Sequence, residues 1–253
     1  MCYNLKQKYI SALKRARRNK SEEDIVYFAQ KILEEQQREN ESESYHQVSG
    51  FLHPKLIAYT NEKPFEPRLL NWGLIPHWVK TEKDAKNICN KTINARGETI
   101  FEKPSFRDSA KYKRCVIPID GFYEHHHFNG NKYPYYVCHK QTEPLNLAGL
   151  WSEWTNKDTG EVINSCSIIT TKANLLMAKI HNNPKLSEAR MPVIFPECKE
   201  DEWLNLTDPK KLKQLMIPFN DAELKAHTVQ KLSGKDALGD VAEASDEFNY
   251  FLL

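Results

Sequence analysis

The dipeptide Asn129-Gly130 separates two runs rich in β-branched and aromatic residues within RCVIPIDGFYEHHHFNGNKYPYYVCHK. Asn and Gly accept the positive φ angles that a two-residue hairpin turn demands at both central positions, so this stretch predicts an antiparallel ribbon. LNLAGLWSEW and, after the turn-like NKDTG, VINSCSIITT extend the pattern as two further strands, while ANLLMAKIH returns to helical spacing. From Gly50 onward, short apolar runs are punctuated by Pro, Gly and Asn, the texture of a strand-rich core rather than a helical bundle. Helices flanking a mainly antiparallel sheet make the fold class α+β.

Residues 6–39 read differently. Apolar positions Ile10, Leu13, Ile25, Phe28, Ile32 and Leu33 recur at helical spacing among Lys, Arg, Glu and Gln, which predicts two helices broken near Asn19 to Ser21. The cluster Lys14, Arg15, Arg17, Arg18 and Lys20 reads as a solvated helix face. The polar stretch ENESESYHQ then links to the body, and the tail from about residue 235 ends in the apolar NYFLL.

The 253 residues suffice for one large domain, and a net charge of +2 advertises no global field for nucleic acid, so any basic footprint has to be local. No apolar run approaches the roughly 20 residues of a membrane helix and the start lacks a signal-peptide core, which points to a cytoplasmic protein with no membrane partner. Six cysteines form no CxxC pair, so neither zinc nor disulfides are indicated, and no metal or cofactor is expected. Cys2 stands apart from the others. Trimming of Met1 would give it an amine and a thiol on adjacent carbons, a pair that condenses with an aldehyde to an imine and then closes a thiazolidine ring. An accident of translation is the alternative reading of that position.

Three segments place polar residues in otherwise apolar, turn-rich surroundings: TINARGET, DGFYEHH and MAKIHNNPKLSEARMP. Asn94 and Arg96 lie on one side of an extended segment, because strand side chains alternate. Glu124 ends the run VIPIDGFYE, where a carboxylate could reach a cavity, and His181 caps a short amphipathic helix. Each residue alone is compatible with a structural role as a turn Asn, a solvated strand end or a helix cap.

Taken together with MC at the start, NWGLIPHW (71–78), NARGET (94–99), KPSFR (103–107), RCVIPIDGFYE (114–124), AGLW (148–151), SIITTKAN (167–174), and IH followed by RMPVIF, the chain resembles the SOS response-associated peptidase (SRAP) family, proteins that trap abasic sites in single-stranded DNA. The resemblance implies one compact α+β domain with a central, mainly antiparallel, barrel-like sheet. The core covers about residues 1–220, with 6–39 as a helical insertion and 235–253 as a C-terminal tail. It implies that Cys2 is the catalytic residue, exposed by self-processing of Met1. Asn94 would hold the N-terminal residue, Glu124 would stand beside the α-amine, and His181 would act on the sugar. The implied partner is single-stranded DNA containing abasic sites, bound by a monomer, with the linkage formed during the DNA damage response.

For the DNA itself, Arg96, Lys103, Arg107, Arg114 and Arg190 are the candidate phosphate contacts, and Trp72 and Trp78 the candidate stacking faces, with core packing as the alternative for the tryptophans. Family members commonly start MCGR; here Tyr3 and Asn4 occupy those positions, which leaves Asn4 as a weaker substitute contact. His125, His126 and His127 replace the tryptophan that often follows the glutamate. They read as a polar hairpin end rather than a metal site, since alternate strand residues face apart. The segment NNPKLSEA lengthens the spacing between His181 and Arg190. Two other functions compete: an N-terminal-nucleophile peptidase or amidohydrolase using Cys2, and a non-catalytic single-strand binding module.

Overall fold

In the computed structural model, which describes residues 3–37, 44–196 and 199–251, the Asn129-Gly130 turn joins strands β7 (Gly121–Phe128) and β8 (Asn131–His139). Asn129 has φ 47° and Gly130 φ 76°, and Phe128 pairs with Asn131, so the hairpin closes through two left-handed residues. Around this ribbon lies an antiparallel sheet in which β13 (Leu224–Thr228) borders β8, and β1 (Asn4–Gln7) borders β7 and then β2 (Tyr45–Ser49).

A second sheet closes on itself. Strands β3 (Lys55–Thr60), β4 (Pro67–Trp72), β6 (Arg114–Ile119), β9 (Leu145–Thr155) and β10 (Val162–Lys172) pair in a ring: β10 with β4, β4 with β3, β3 with β6, β6 with β9, and β9 back to β10. Four of these ladders are antiparallel, and the β4–β10 ladder that closes the barrel is parallel. Closure leaves no unpaired edge within the ring. Three short strands extend it: β5 (Asn94–Arg96) and β11 (Arg190–Pro192) on β10, and β12 (Ile194–Phe195) on β9.

Alternation sorts the strand residues into two faces. Leu56, Ala58, Leu70, Trp72, Cys115, Ile117, Leu147, Trp151, Cys166 and Ile168 fill the barrel, and the same core takes in Leu5, Val48, Phe122 and Val137 from the other sheet. That sheet therefore packs its apolar face on the barrel. Outside the barrel, Ile57 and Tyr59 lie under helices α1 (Tyr9–Arg18) and α2 (Glu22–Gln37). Val116, Ala148 and Leu150 lie under α4 (Arg107–Tyr112), α6 (Glu200–Asn205) and α7 (Pro209–Leu215). Of the remaining helices, α3 (Glu82–Cys89) packs Ala85 and Cys89 with Ile75, Val79 and Trp154, and α5 (Leu175–Ile180) lies against β7 and β11.

The predicted break between the two N-terminal helices falls at Asn19 to Ser21, where Lys20 takes φ 55°. Residues 6 and 7, read as the start of that helical segment, belong instead to β1. Gln7 is the reason. It is buried, its Nε2 donates to the carbonyls of Ile57 (3.0 Å) and Pro118 (2.7 Å), and its Oε1 accepts from the Ile57 N–H (2.9 Å), which hitches the open sheet to two barrel strands. The tail is docked. Asp240 Oδ1 accepts from the N–H groups of His46 (2.6 Å) and Gln47 (2.9 Å) on β2, and the Phe248 N–H donates to the Thr228 carbonyl (2.8 Å).

Candidate active site

Strand β7 carries Glu124 two residues beyond Phe122, so its carboxylate lies on the face turned toward the barrel, where the apolar lining ends. Glu124 is buried, and its Oε1 accepts from the His125 N–H at 2.9 Å. The β1–β7 register runs Lys6 opposite Gly121, Leu5 opposite Phe122 and Asn4 opposite Tyr123, so its continuation sets Tyr3 level with Glu124. The Tyr3 carbonyl accepts from the Gly50 N–H (2.8 Å) and the Tyr3 ring lies 5.1 Å from that of Phe51. Met1 and Cys2 lie outside the described residues.

His181 sits at the C-cap of α5, a helix started by Asn174, whose Oδ1 accepts from the Met177 N–H at 2.8 Å. Its Nδ1 stands 2.9 Å from the Arg190 nitrogen and 3.0 Å from the Arg190 carbonyl oxygen. Both groups face one ring nitrogen, so the imidazole keeps a partner there whether Nδ1 accepts or donates. A ring tethered in this way can gain or lose a proton without losing its orientation. Burial lowers the His181 pKa, and the Glu124 carboxylate opposes that shift.

What locks α5 against β7 is a pair of hydrogen bonds that imitates a strand. Beyond Tyr123 the described part of β1 gives no further partner to β7; the Asn182 side chain meets the backbone there, accepting from the His127 N–H (2.7 Å) and donating to the His127 carbonyl (2.9 Å). His126 Nδ1 meets the Lys179 carbonyl at 2.9 Å. The histidine run thus serves as the docking edge for α5, and the described residues hold no cluster of metal-ligating side chains.

Asn94 opens β5, pairing with Ile168, and is half-buried, while Ala95 points into the protein and Arg96 outward, the alternation expected of TINAR. Ile93, the preceding residue, packs against Gly50, where an added Cβ would stand 2.8 Å from Ile93 Cγ2 and 3.1 Å from the Trp72 ring. Gly50 therefore permits the approach that brings β5 and the start of β1 to one wall. Asn4 Oδ1 accepts from Gln47 Nε2 at 2.9 Å.

Four DNA-binding candidates share an exposed surface or flank it. Arg96, Lys103, Arg107 and Trp78 are exposed; Trp78 Nε1 donates to the Pro104 carbonyl at 3.2 Å, and successive turns connect Arg96 through Thr99 to Lys103 and Arg107. Three others do not present themselves to a strand. Trp72 is fully buried in the barrel with Nε1 donating to the Ile93 carbonyl (2.9 Å), the core-packing alternative. Arg114, 2 % exposed, spends its guanidinium on the carbonyls of Ala110, Lys111, Trp203, Leu204 and Leu206, where α4 and α6 end and their carbonyls have no helical partner. Arg190 is equally buried, paired with Glu98 (2.8 Å) and Glu188 (3.1 Å), and its NH2 donates to the Thr170 carbonyl (2.8 Å). Sequence reasoning gave no role to Asn182 or Glu98, although both lie inside motifs it singled out.

Comparison with known proteins bears on this geometry. The family model for SOS response associated peptidase (SRAP) matches residues 9–235. The abasic site processing protein YoqW of Bacillus subtilis is 43% identical over 166 residues, 64% of this chain and 69% of that protein. The abasic site processing protein HMCES of Xenopus tropicalis is 30% identical over 183 residues, 65% of this chain and 50% of its own length. A crystal structure of a protein from Bacteroides thetaiotaomicron superposes with a TM-score of 0.81 at 33% identity, covering 98% of this chain and 100% of that one.

Proposed function

Since the chain belongs to the SOS response associated peptidase family, we propose that it captures abasic sites in single-stranded DNA by forming a covalent thiazolidine through Cys2 once Met1 has been removed. An abasic sugar is mostly a closed hemiacetal. His181 takes the proton of the C1′ hydroxyl and a proton returns to the ring oxygen, which opens the sugar to its aldehyde. The α-amine of Cys2 then attacks C1′. Its reference pKa of about 7.7 to 8.0 leaves on the order of a tenth unprotonated at pH 7, far more than a lysine would offer.

Glu124 takes a proton from the attacking nitrogen and returns it to the departing hydroxyl, so one water leaves and an imine remains. The thiol adds to the imine carbon while its proton passes to nitrogen, and the ring closes with no further loss of atoms. The single observation that carries the reading is the buried, inward-facing Glu124 carboxylate, level in register with Tyr3. Asn94 orients the N-terminal residue from the neighbouring wall, and Arg96, Lys103, Arg107 and Trp78 hold the strand. The relatives named abasic site processing proteins support the same substrate.

Incubation with an oligonucleotide carrying one abasic site, resolved on a denaturing gel, tests this. A slow-migrating adduct is expected with the native chain, slowed in Glu124→Gln and His181→Ala and absent in Cys2→Ala. Intact mass spectrometry should find the chain short by one methionine. An adduct that survives Cys2→Ala refutes the mechanism, and peptide turnover without any adduct selects the amidohydrolase reading instead.

A further inference from the structure

Helix α1 carries Lys14, Arg15, Arg17 and Arg18 within two turns, and the site around Glu124 uses none of them. Arg15, 3 % exposed, lies over the Tyr59 ring at 4.5 Å and shares one buried carboxylate, Glu200, with Arg18. Two guanidiniums thus meet one acid, and Arg15 Nε stays buried without a hydrogen-bond partner among the described residues. Burial lowers the Arg15 pKa to about 10, which still leaves it charged at neutral pH. Arg17 is exposed and has no ion pair among the described residues. Lys14 Nζ donates to the Thr142 carbonyl at 2.6 Å.

Lys14, Arg15, Arg17 and Arg18 line a cavity of about 570 Å³ between α1, the β8–β9 turn and β12. Its walls set it apart from a solvated helix face. Leu145, Phe195 and Phe219 supply a buried apolar side. Asn146 lies in that wall, 4 % exposed, with its Oδ1 buried and lacking a hydrogen-bond partner among the described residues. A buried amide oxygen without a donor is a destabilising arrangement that a ligand N–H would relieve. Glu143 and Glu223 stand on the same rim and Glu200, behind the lining, pairs with Arg15 and Arg18, so the four cations Lys14, Arg15, Arg17 and Arg18 outnumber these three acids by one. That balance suits one phosphate group rather than a string of them.

We propose that this cavity binds a nucleoside monophosphate unit, its phosphate on Arg17 and Lys14, its base against Phe195 and Phe219, and its base-edge amine on Asn146. The volume falls among those of small-molecule sites. The cavity begins at His139, whereas Glu124 pairs with Tyr135 farther along the hairpin, so the two sites are separate. The proposal is independent of the abasic-site reading.

Calorimetric titration of the full chain with deoxyadenosine monophosphate, with no abasic DNA present, tests it. One saturable site is expected, weakened at least about tenfold in Arg17→Glu, because a charge-assisted contact is worth that factor or more. Asn146→Ala should weaken it about several-fold. Lys20→Glu makes the same charge change outside the cavity and should leave affinity unchanged. Absence of binding, an equal loss in Lys20→Glu, or inorganic phosphate binding as tightly as the nucleotide overturns the assignment. Competition with an undamaged single-stranded oligonucleotide identifies the source: displacement means the unit belongs to a bound strand, and simultaneous binding means a free nucleotide. Both outcomes uphold the cavity as a nucleotide site.

Discussion

Replacing Arg114 should unfold the protein's edge before it touches DNA binding. The guanidinium makes five hydrogen bonds, all to backbone carbonyls, at 2.6 to 3.2 Å, and among the described residues it has no carboxylate partner. Burial lowers its pKa, as expected of a cation held by dipoles rather than by a counter-charge. A charged hydrogen bond contributes about 1.5–3 kcal/mol, but the carbonyls can regain some water when the side chain goes, so the simple sum overstates the loss. Leaving buried carbonyls short of a donor costs about 1–3 kcal/mol for each that water cannot reach, so Arg114→Ala should lose about 3 kcal/mol or more in urea unfolding. Since no ion pair is broken, the loss should be nearly the same at low and high salt. In parallel, the slope of log affinity for single-stranded DNA against log salt should be unchanged, whereas Arg107→Ala should reduce it by about 0.7. A destabilisation below about 1 kcal/mol together with a shallower salt slope would refute the structural role and return Arg114 to the DNA surface.

Three further outcomes follow from the geometry. Gly50→Ala places a Cβ 2.8 Å from Ile93 and 3.1 Å from Trp72, so it should cost about 1–3 kcal/mol in thermal or urea unfolding and slow adduct formation by displacing β5. Burial lowers the His181 pKa while Glu124 raises it, so its neutral form persists below the usual histidine range. Protonation of the Cys2 α-amine should already slow adduct formation below about pH 7.7 to 8.0, His181 should add a second acid limb below the usual histidine range, and Glu124→Gln should move that second limb lower still, as a pH–rate profile will report. Trp78→Ala should weaken single-strand affinity by about 1–3 kcal/mol in fluorescence anisotropy, while Trp72→Phe should leave affinity intact and lower stability instead.

The contrast between those two tryptophans marks how far the sequence could be read. Both lie in NWGLIPHW and both offer an aromatic face, but Trp72 ends a strand whose alternate residues fill the barrel, and Trp78 follows a turn that carries it outside. Their fates depend on which side of β4 faces inward, and that depends on β10 lying parallel to it almost a hundred residues later. Local signals were strong where chemistry is local. Asn129-Gly130 required positive φ, Asn19 to Ser21 broke the helices, and the β9 and β10 runs announced themselves. β1 went unread because four residues hold too little periodicity to oppose the helical pattern that follows. Arg114 and Arg190 looked like phosphate contacts because a lone arginine carries no mark of its partners; some of these, such as Ala110, Lys111 and Glu188, are near in sequence, but those on α6 and at Glu98 are about 90 residues away. Asn94, Glu124 and His181 were legible as polar residues among apolar ones, and what the fold adds is the burial of Glu124 and His181 and the pairing of Asn94 with Ile168 on β10.

Gln7 acts as an index mark for everything upstream of it. Its amide grips Ile57 from both sides and Pro118 from one, so β1 cannot slide along β7 without breaking three buried bonds at once. A shift of one residue would also turn Leu5 out of the core and carry its neighbours to the opposite face. The reach of the amino terminus is therefore counted in residues from Gln7. Inserting or deleting a single residue between Cys2 and Gln7, even with the terminal cysteine retained, changes both where that terminus ends and which way it faces.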